Sequence, residues 1–528
     1  MDLILYNSQI YTMRVEGDIY SAIAIKDDKI IQIGNDDDIL ALKTDDTQII
    51  DLNQKIVLPG FNDSHMHLLG LGASLSQVDL SSARSKNDMV EMTKAYIKEN
   101  NIPHDEWVVG RGWNQDLFEI KDIPSAKDLD EISTSHLIFL RRACGHVATC
   151  NSHLLNTYGF SLEKTAIDGG TYENGIFKEN ALELITEKMP APTTEDLKKW
   201  IQTGATYLNR LGITSVQSDD LCVFSEALNP MVFNSFIELD LKKSLHVRVY
   251  EQSLFRTKSG LIKELKMGYQ QNKGSDYFKC GPLKILGDGS LGGRTAWLNK
   301  PYDDAKDEIG IHMYSQEELN DYVYEAHKHG LASAIHCIGD KMLDSAIEAI
   351  GRAQTLTPKP ELRHGIVHCQ ITSKEQLERL KALNIMAYVQ PIFLDYDAHI
   401  VRQRVGELAD TSYNWKTMMD LDLRMSFGSD APVDSADPIK GIHCAVSRKG
   451  INNKPIDGYL PEQAITVYEA IYNYTVESAY ASHEEHIKGR LLPGYFADMV
   501  ILEGNIFNNI LDTSIHTTIL AGKIVYQK

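Results

Sequence analysis

Short apolar runs, each ended by a polar or glycine-bearing segment, organise this chain from end to end. Residues 1–55 alternate β-rich runs with turn chemistry, as in Ala22-Ile23-Ala24-Ile25-Lys26, then Asp27-Asp28-Lys29, then Ile30-Ile31-Gln32-Ile33-Gly34, which is a hairpin pattern. Residues 489–528 repeat it with Ala497–Leu502 and Thr517–Tyr526. Neither end holds enough strands for a stable sheet of its own, so the two are expected to pair into one composite β-sandwich.

Between the ends, apolar strands alternate with longer stretches of helical period, the signature of repeated βα units and a parallel sheet. Eight strands are predicted: Ile56–Asp63, Ile213–Ser218, His246–Glu251, Pro282–Gly287, Ser333–Ile338, Gly365–Gln370, Ile385–Pro391 and Met425–Ser429. Eight is the number that closes a (β/α)8 barrel. Helices fit between them: Gln316–His329 stops before Gly330, and Asp340 is placed to cap Lys341–Ile350. The expected barrel spans residues 56–74 and 206–488. Residues 75–205 are too long for an ordinary βα loop and read as an inserted subdomain, at the face where barrel loops carry the active site.

Candidate chemistry sits at the carboxyl ends of these strands. Strand one runs into Asp63-Ser64-His65-Met66-His67, where two imidazoles two residues apart share a direction and can chelate one cation. Strand five ends in Ala334-Ile335-His336-Cys337, strand six in Ile366-Val367-His368-Cys369, strand eight in Gly428-Ser429-Asp430, and strand four carries Lys284. Taken singly, each has a plain reading: a His-x-His in solvent, a core histidine, a turn aspartate, a lysine reaching water. Gathered on one barrel face, they would be buried polar groups without partners, costing several kcal/mol unless a ligand engages them. Cys337 and Cys369 follow ligand candidates directly, and strand alternation turns both away from them.

Pro59-Gly60-Phe61-Asn62-Asp63-Ser64-His65-Met66-His67, the later single histidines and Gly428-Ser429-Asp430 resemble the amidohydrolase superfamily. Lys284 to Leu298, with Gly287-Asp288-Gly289-Ser290-Leu291-Gly292-Gly293-Arg294-Thr295-Ala296, and His336 to Asp340 resemble its YtcJ-like branch, amidohydrolase family 3, and the likeness runs nearly end to end. The resemblance implies an α/β fold, a metal-dependent (β/α)8 barrel with a composite β-domain, that hydrolyses carbon–nitrogen bonds other than peptide bonds. It also implies the ligands: His65, His67, His336, His368 and Asp430, with Lys284 as the bridging lysine. In two-metal members this lysine is carboxylated by CO2, while an unmodified lysine suits a one-metal site. The implied cofactor is therefore one or two divalent ions, of which zinc best suits nitrogen and carboxylate donors.

In the expected mechanism, a metal lowers the pKa of a water and polarises a carbonyl, and Asp430 takes the proton and hands it to the leaving nitrogen. Trp113, His146 beside Gly145, and Glu179 resemble recurrent features of the branch, which places them either in the substrate pocket or in the framework of the insertion. Arg294 and Thr295 are candidate substrate anchors, because the run from Gly287 lacks the Gly-Lys-Ser/Thr ending of a phosphate loop. Two other functions remain open on the same scaffold: ester or phosphoester hydrolysis, and an inactive barrel used for binding.

Composition narrows the rest. Asp and Glu outnumber Lys and Arg by 73 to 53, which disfavours nucleic acid as a partner. No apolar run is long enough for a membrane span, and the amino terminus lacks a signal-peptide pattern. Seven cysteines, Cys144, Cys150, Cys222, Cys280, Cys337, Cys369 and Cys444, form no Cys-x-x-Cys pair. Their odd number suits a reducing cytoplasm better than a disulfide framework. The expected partner is a small amide-type substrate, and a homodimer is the commonest assembly for such a chain.

Overall fold

The computed structural model describes residues 1–142, 146–167 and 169–528. Two compact units form, one from Met1–Leu71 and Ile201–Lys528, the other from Gly72–Trp200.

The first unit contains the barrel. Its eight strands are Phe61–Met66, Ile213–Ser218, Arg248–Leu254, Phe278–Leu286, Ser333–Cys337, Gly365–His368, Met386–Val389 and Met425–Phe427, hydrogen-bonded in that order and all parallel. Most are buried along their whole length, polar members such as Gln217 and Glu251 included. Strand eight meets strand one through side-chain and cap bonds. The Asp63 carboxylate accepts from Ser429 N at 3.0 Å and Ser429 Oγ at 2.5 Å, and Asp430 N donates to His65 O at 2.8 Å.

The first strand differs from its prediction. Ile56–Asp63 is two strands: Ile56–Pro59 belongs to a terminal sheet, and Phe61–Met66 opens the barrel. The break falls at Gly60, where an added Cβ would lie 2.2 Å from Thr214 Oγ1, so only glycine lets the chain pass from sheet to barrel. A second difference concerns Asp340. The helix Asp340–Leu356 is entered from Gly339, and the Asp340 carboxylate instead accepts from Asn299 N and Nδ2, both at 3.0 Å. The preceding helix, Gln316–Lys328, starts on a Ser315/Glu318 capping box.

The chain ends pair as their pattern predicts. Met499–Glu503 lies antiparallel to Ile56–Pro59 inside a six-stranded sheet, beside a four-stranded sheet from the amino-terminal residues. Leu3, Leu5, Ile23, Ile25, Val57, Met499, Ile501 and Ile519 share one buried core. The second unit is a seven-stranded sheet in which Val78–Asp79, Trp107–Trp113 and Leu137–Arg142 are parallel and the remaining strands antiparallel, with an apolar cluster on each face. Among the described residues no helix is long and apolar enough to cross a membrane.

Candidate metal centre

The barrel brings all six of the predicted barrel-end ligand residues to the carboxyl ends of its strands. His65 lies within strand one and His67 just past it, Lys284 in strand four, His336 in strand five, His368 at the last position of strand six, and Asp430 three residues beyond strand eight. Asp430 Oδ1 lies 3.0 Å from His67 Nε2 and 3.4 Å from His65 Nε2, and these three ligand atoms could hold one ion. The His65 and His368 rings are 5.8 Å apart, and His368 and His336 4.4 Å, so the four imidazoles form one contiguous row. His368 and Asp430 both adopt left-handed backbone, with φ of 73° and 60°, a conformation that non-glycine residues reach at a cost and that recurs at active sites.

What makes these rings suitable as ligands is the other nitrogen. Each Nδ1 faces an acceptor: His65 the Gln252 Oε1 at 2.7 Å, His67 the Asp219 carbonyl at 2.7 Å, His336 the Asp288 Oδ1 at 2.9 Å, and His368 the Gln390 Oε1 at 2.7 Å. With Nδ1–H donated there, each ring keeps its Nε2 lone pair for the site. Electrostatics agree for two of them. Burial, then the Lys284 charge, lowers His65 to about 4, and burial with the neighbouring His336 holds His368 well below the usual range. Burial would also lower His67, yet its contacts with Cys222 and Asp430 raise it well above the ordinary value. Burial alone would raise Asp430, but its contacts with His65 and His67 keep its carboxyl well below the usual range.

Lys284 is 1% exposed, its Nζ donating to His65 Nε2 at 3.2 Å and lying 3.4 Å from Asp219 Oδ2. Asp219 Oδ1 is buried without a hydrogen-bond partner, and His67, Asp219 and Cys222 form a second cluster of ligand atoms. An orphaned buried carboxylate oxygen beside a row of imidazole lone pairs fits a bound divalent cation.

The other predicted residues are placed differently. Trp113 is fully buried in the core of the second unit, its Nε1 donating to Leu140 O at 3.0 Å. His146 and Glu179 form an exposed pair at 3.0 Å in that unit, and Gly145 lies outside the described residues. Arg294 engages Asp304 through Nε and Nη2 at 3.0 and 2.9 Å, and Thr295 closes a turn with Ser290. Cys337 and Cys369 are buried. Sequence reasoning missed the acceptors Gln252, Asp288 and Gln390, together with Asp219 and Cys222. Their one common signal is a polar residue at or just beyond the end of an apolar strand.

Eight parallel strands that gather four histidines, a lysine and an aspartate at one barrel end define a metal-dependent hydrolase. The chain belongs to the amidohydrolase family, whose sequence model matches residues 48–526. The protein YtcJ of Bacillus subtilis (strain 168) is 30% identical with the whole of both chains aligned. The N-substituted formamide deformylase of Arthrobacter pascens is 22% identical over 95% of this chain and 93% of its own. Among solved structures, a metal-dependent hydrolase from Pyrococcus furiosus matches with a TM-score of 0.78 and 29% identity, covering 96% of this chain and 99% of that one. The protein is a hydrolase of small molecules that depends on a divalent metal.

Proposed function

We propose that this protein hydrolyses the carbon–nitrogen bond of amide-type small molecules at this barrel end. His65, His67 and Asp430 hold one divalent ion, zinc in this reading, and His336, His368 and Lys284 complete the place of a second. The observation that carries the proposal is the common arrangement of the four imidazoles, each with Nδ1 tied to an acceptor. Zinc suits this set because its donors are nitrogen and carboxylate oxygen. A bound ion of this kind supplies Lewis acidity and a water acidified toward neutral pH.

The protein's own groups do the rest. Asp430, kept ionised by its contacts with His65 and His67, accepts the proton that water gives up and delivers it to the departing nitrogen. An ester needs no such delivery to a basic nitrogen, so a carboxylate serving twice favours amides. Lys284 is proposed to carry CO2: its neutral amine adds to the carbon, and Asp219 Oδ2, 3.4 Å away, receives the proton released. NMR of protein loaded with isotope-labelled bicarbonate would reveal that carbamate. The six cysteines among the described residues are free thiols, which supports a reducing, cytoplasmic setting.

The test is a panel of formamides, N-acyl amines, cyclic amides and esters presented to metal-loaded protein. Turnover of at least one amide class is expected. Turnover of esters alone would move the reading to ester hydrolysis, and no turnover by a metal-free preparation that takes up no metal would leave a binding module.

A further inference from the structure

In the second unit three charged side chains stand in a row across parallel strands. Val78–Asp79, Trp107–Trp113 and Leu137–Arg142 are in register so that Asp79 pairs with Arg111 and Arg111 with Arg141. Paired residues on neighbouring strands share a face, with backbones about 4.8 Å apart. Like charges directly opposite one another destabilise a sheet, so the two arginines call for a counter-charge. The protein supplies none at hydrogen-bond range among the described residues. Asp79 turns its Oδ1 to Ser81 N at 2.9 Å. The Arg141 Nε is buried without a hydrogen-bond partner among the described residues, its guanidinium carbon lies 5.5 Å from the Phe139 ring, and after burial itself the Arg111 charge lowers Arg141. Arg142, on the opposite face, is satisfied by Asn114, Gln115 and Asp116, each at 2.7 Å.

Arg141 and the exposed Arg111 both lie near the carboxyl ends of parallel strands, where open sheets bind ligands. We propose that Arg111 and Arg141 form a binding site for a carboxylate group. Two guanidinium forks beside one aspartate leave a single excess positive charge, which matches a planar monoanion better than a phosphate dianion. The carboxylate belongs to a separate small acid.

The experiment titrates the metal-loaded full-length protein with sodium acetate, and separately with phosphate, by calorimetry at constant ionic strength. Acetate is expected to bind more tightly than phosphate, and its affinity to fall about ten- to a hundredfold in Arg141→Ala and in the exposed Arg111→Ala, metal content unchanged. Arg141→Lys should recover part of the loss. Acetate binding that is absent, weaker than that of phosphate, or untouched by both alanine variants would overturn the proposal.

Discussion

Each ligand histidine depends on an atom on the far side of its ring. Asp288 is the clearest case. Its carboxylate accepts from His336 Nδ1 at 2.9 Å and from the backbone N–H groups of Trp297, Ile338 and Gly339 at 3.0, 3.1 and 2.8 Å. Asp288→Asn sets an amide NH2 against one or more of these donors, and metal affinity should fall about ten- to a hundredfold, as for other partners of metal-bound imidazoles. Competition with a chelator measures it, and unchanged affinity would contradict the role.

Away from the site, His327 and His364 make a buried stacked pair with His327 Nδ1 2.9 Å from His364 Nε2. Ser333 N donates to His364 Nδ1, so the His364 proton sits on Nε2 and points to His327, whose own Nε2 faces Thr357 O. Burial, and then the nearness of His327, lowers His364 from 6.5 to about 3. The unfolded chain therefore binds a proton that the folded protein refuses between those values. The contribution of this site is fully present above 6.5 and is lost as pH falls toward 3, by about 1.4 kcal/mol per pH unit. Chemical denaturation at pH 7 and pH 5 should show a steeper loss in the native protein than in His364→Asn, and equal slopes would refute the assignment.

At the scale of elements, the barrel closes where Asp63 reaches from strand one to Ser429. Asp63→Ala would leave two buried N–H groups, those of His65 and Ser429, and the Ser429 hydroxyl without their acceptor, each costing about 1–3 kcal/mol. A marked drop in melting temperature is expected, measured by calorimetry on variants with equal metal content, and an unchanged melting temperature would show that the seam holds without it. The strands themselves were legible because most carry a short apolar stretch bounded by polar or glycine-bearing segments, and all eight were found within a few residues. The division of the first was not legible, since Pro59-Gly60-Phe61 stays apolar across the break and only the packing of Thr214 against Gly60 reveals it. Asp340 misled for a related reason: an acid near a helix start is a cap only if its side chain turns inward, and Asn299 takes this one.

For the whole molecule, the barrel-end row could be read from sequence because each member stands out against apolar neighbours. The residues that make it work could not. Gln252 and Gln390 lie on strands with no ligand of their own, and it takes the barrel's closure to bring them to His65 and His368. Cys222 stayed hidden for the same reason, being 155 residues from the His67 ring it approaches to 3.2 Å. The chain's two ends meet in one sheet because neither suffices alone, a conclusion the count of strands at each end already forced.

The most direct test of the metal centre is elemental analysis of the purified protein alongside hydrolysis of its best amide substrate, before and after chelation and zinc readdition. One or two ions per chain, turnover lost with the metal and restored by zinc, and at least one ion fewer per chain in the His65→Ala/His67→Ala variant are expected. Full turnover in metal-free protein, or undiminished metal in that double variant, would contradict it.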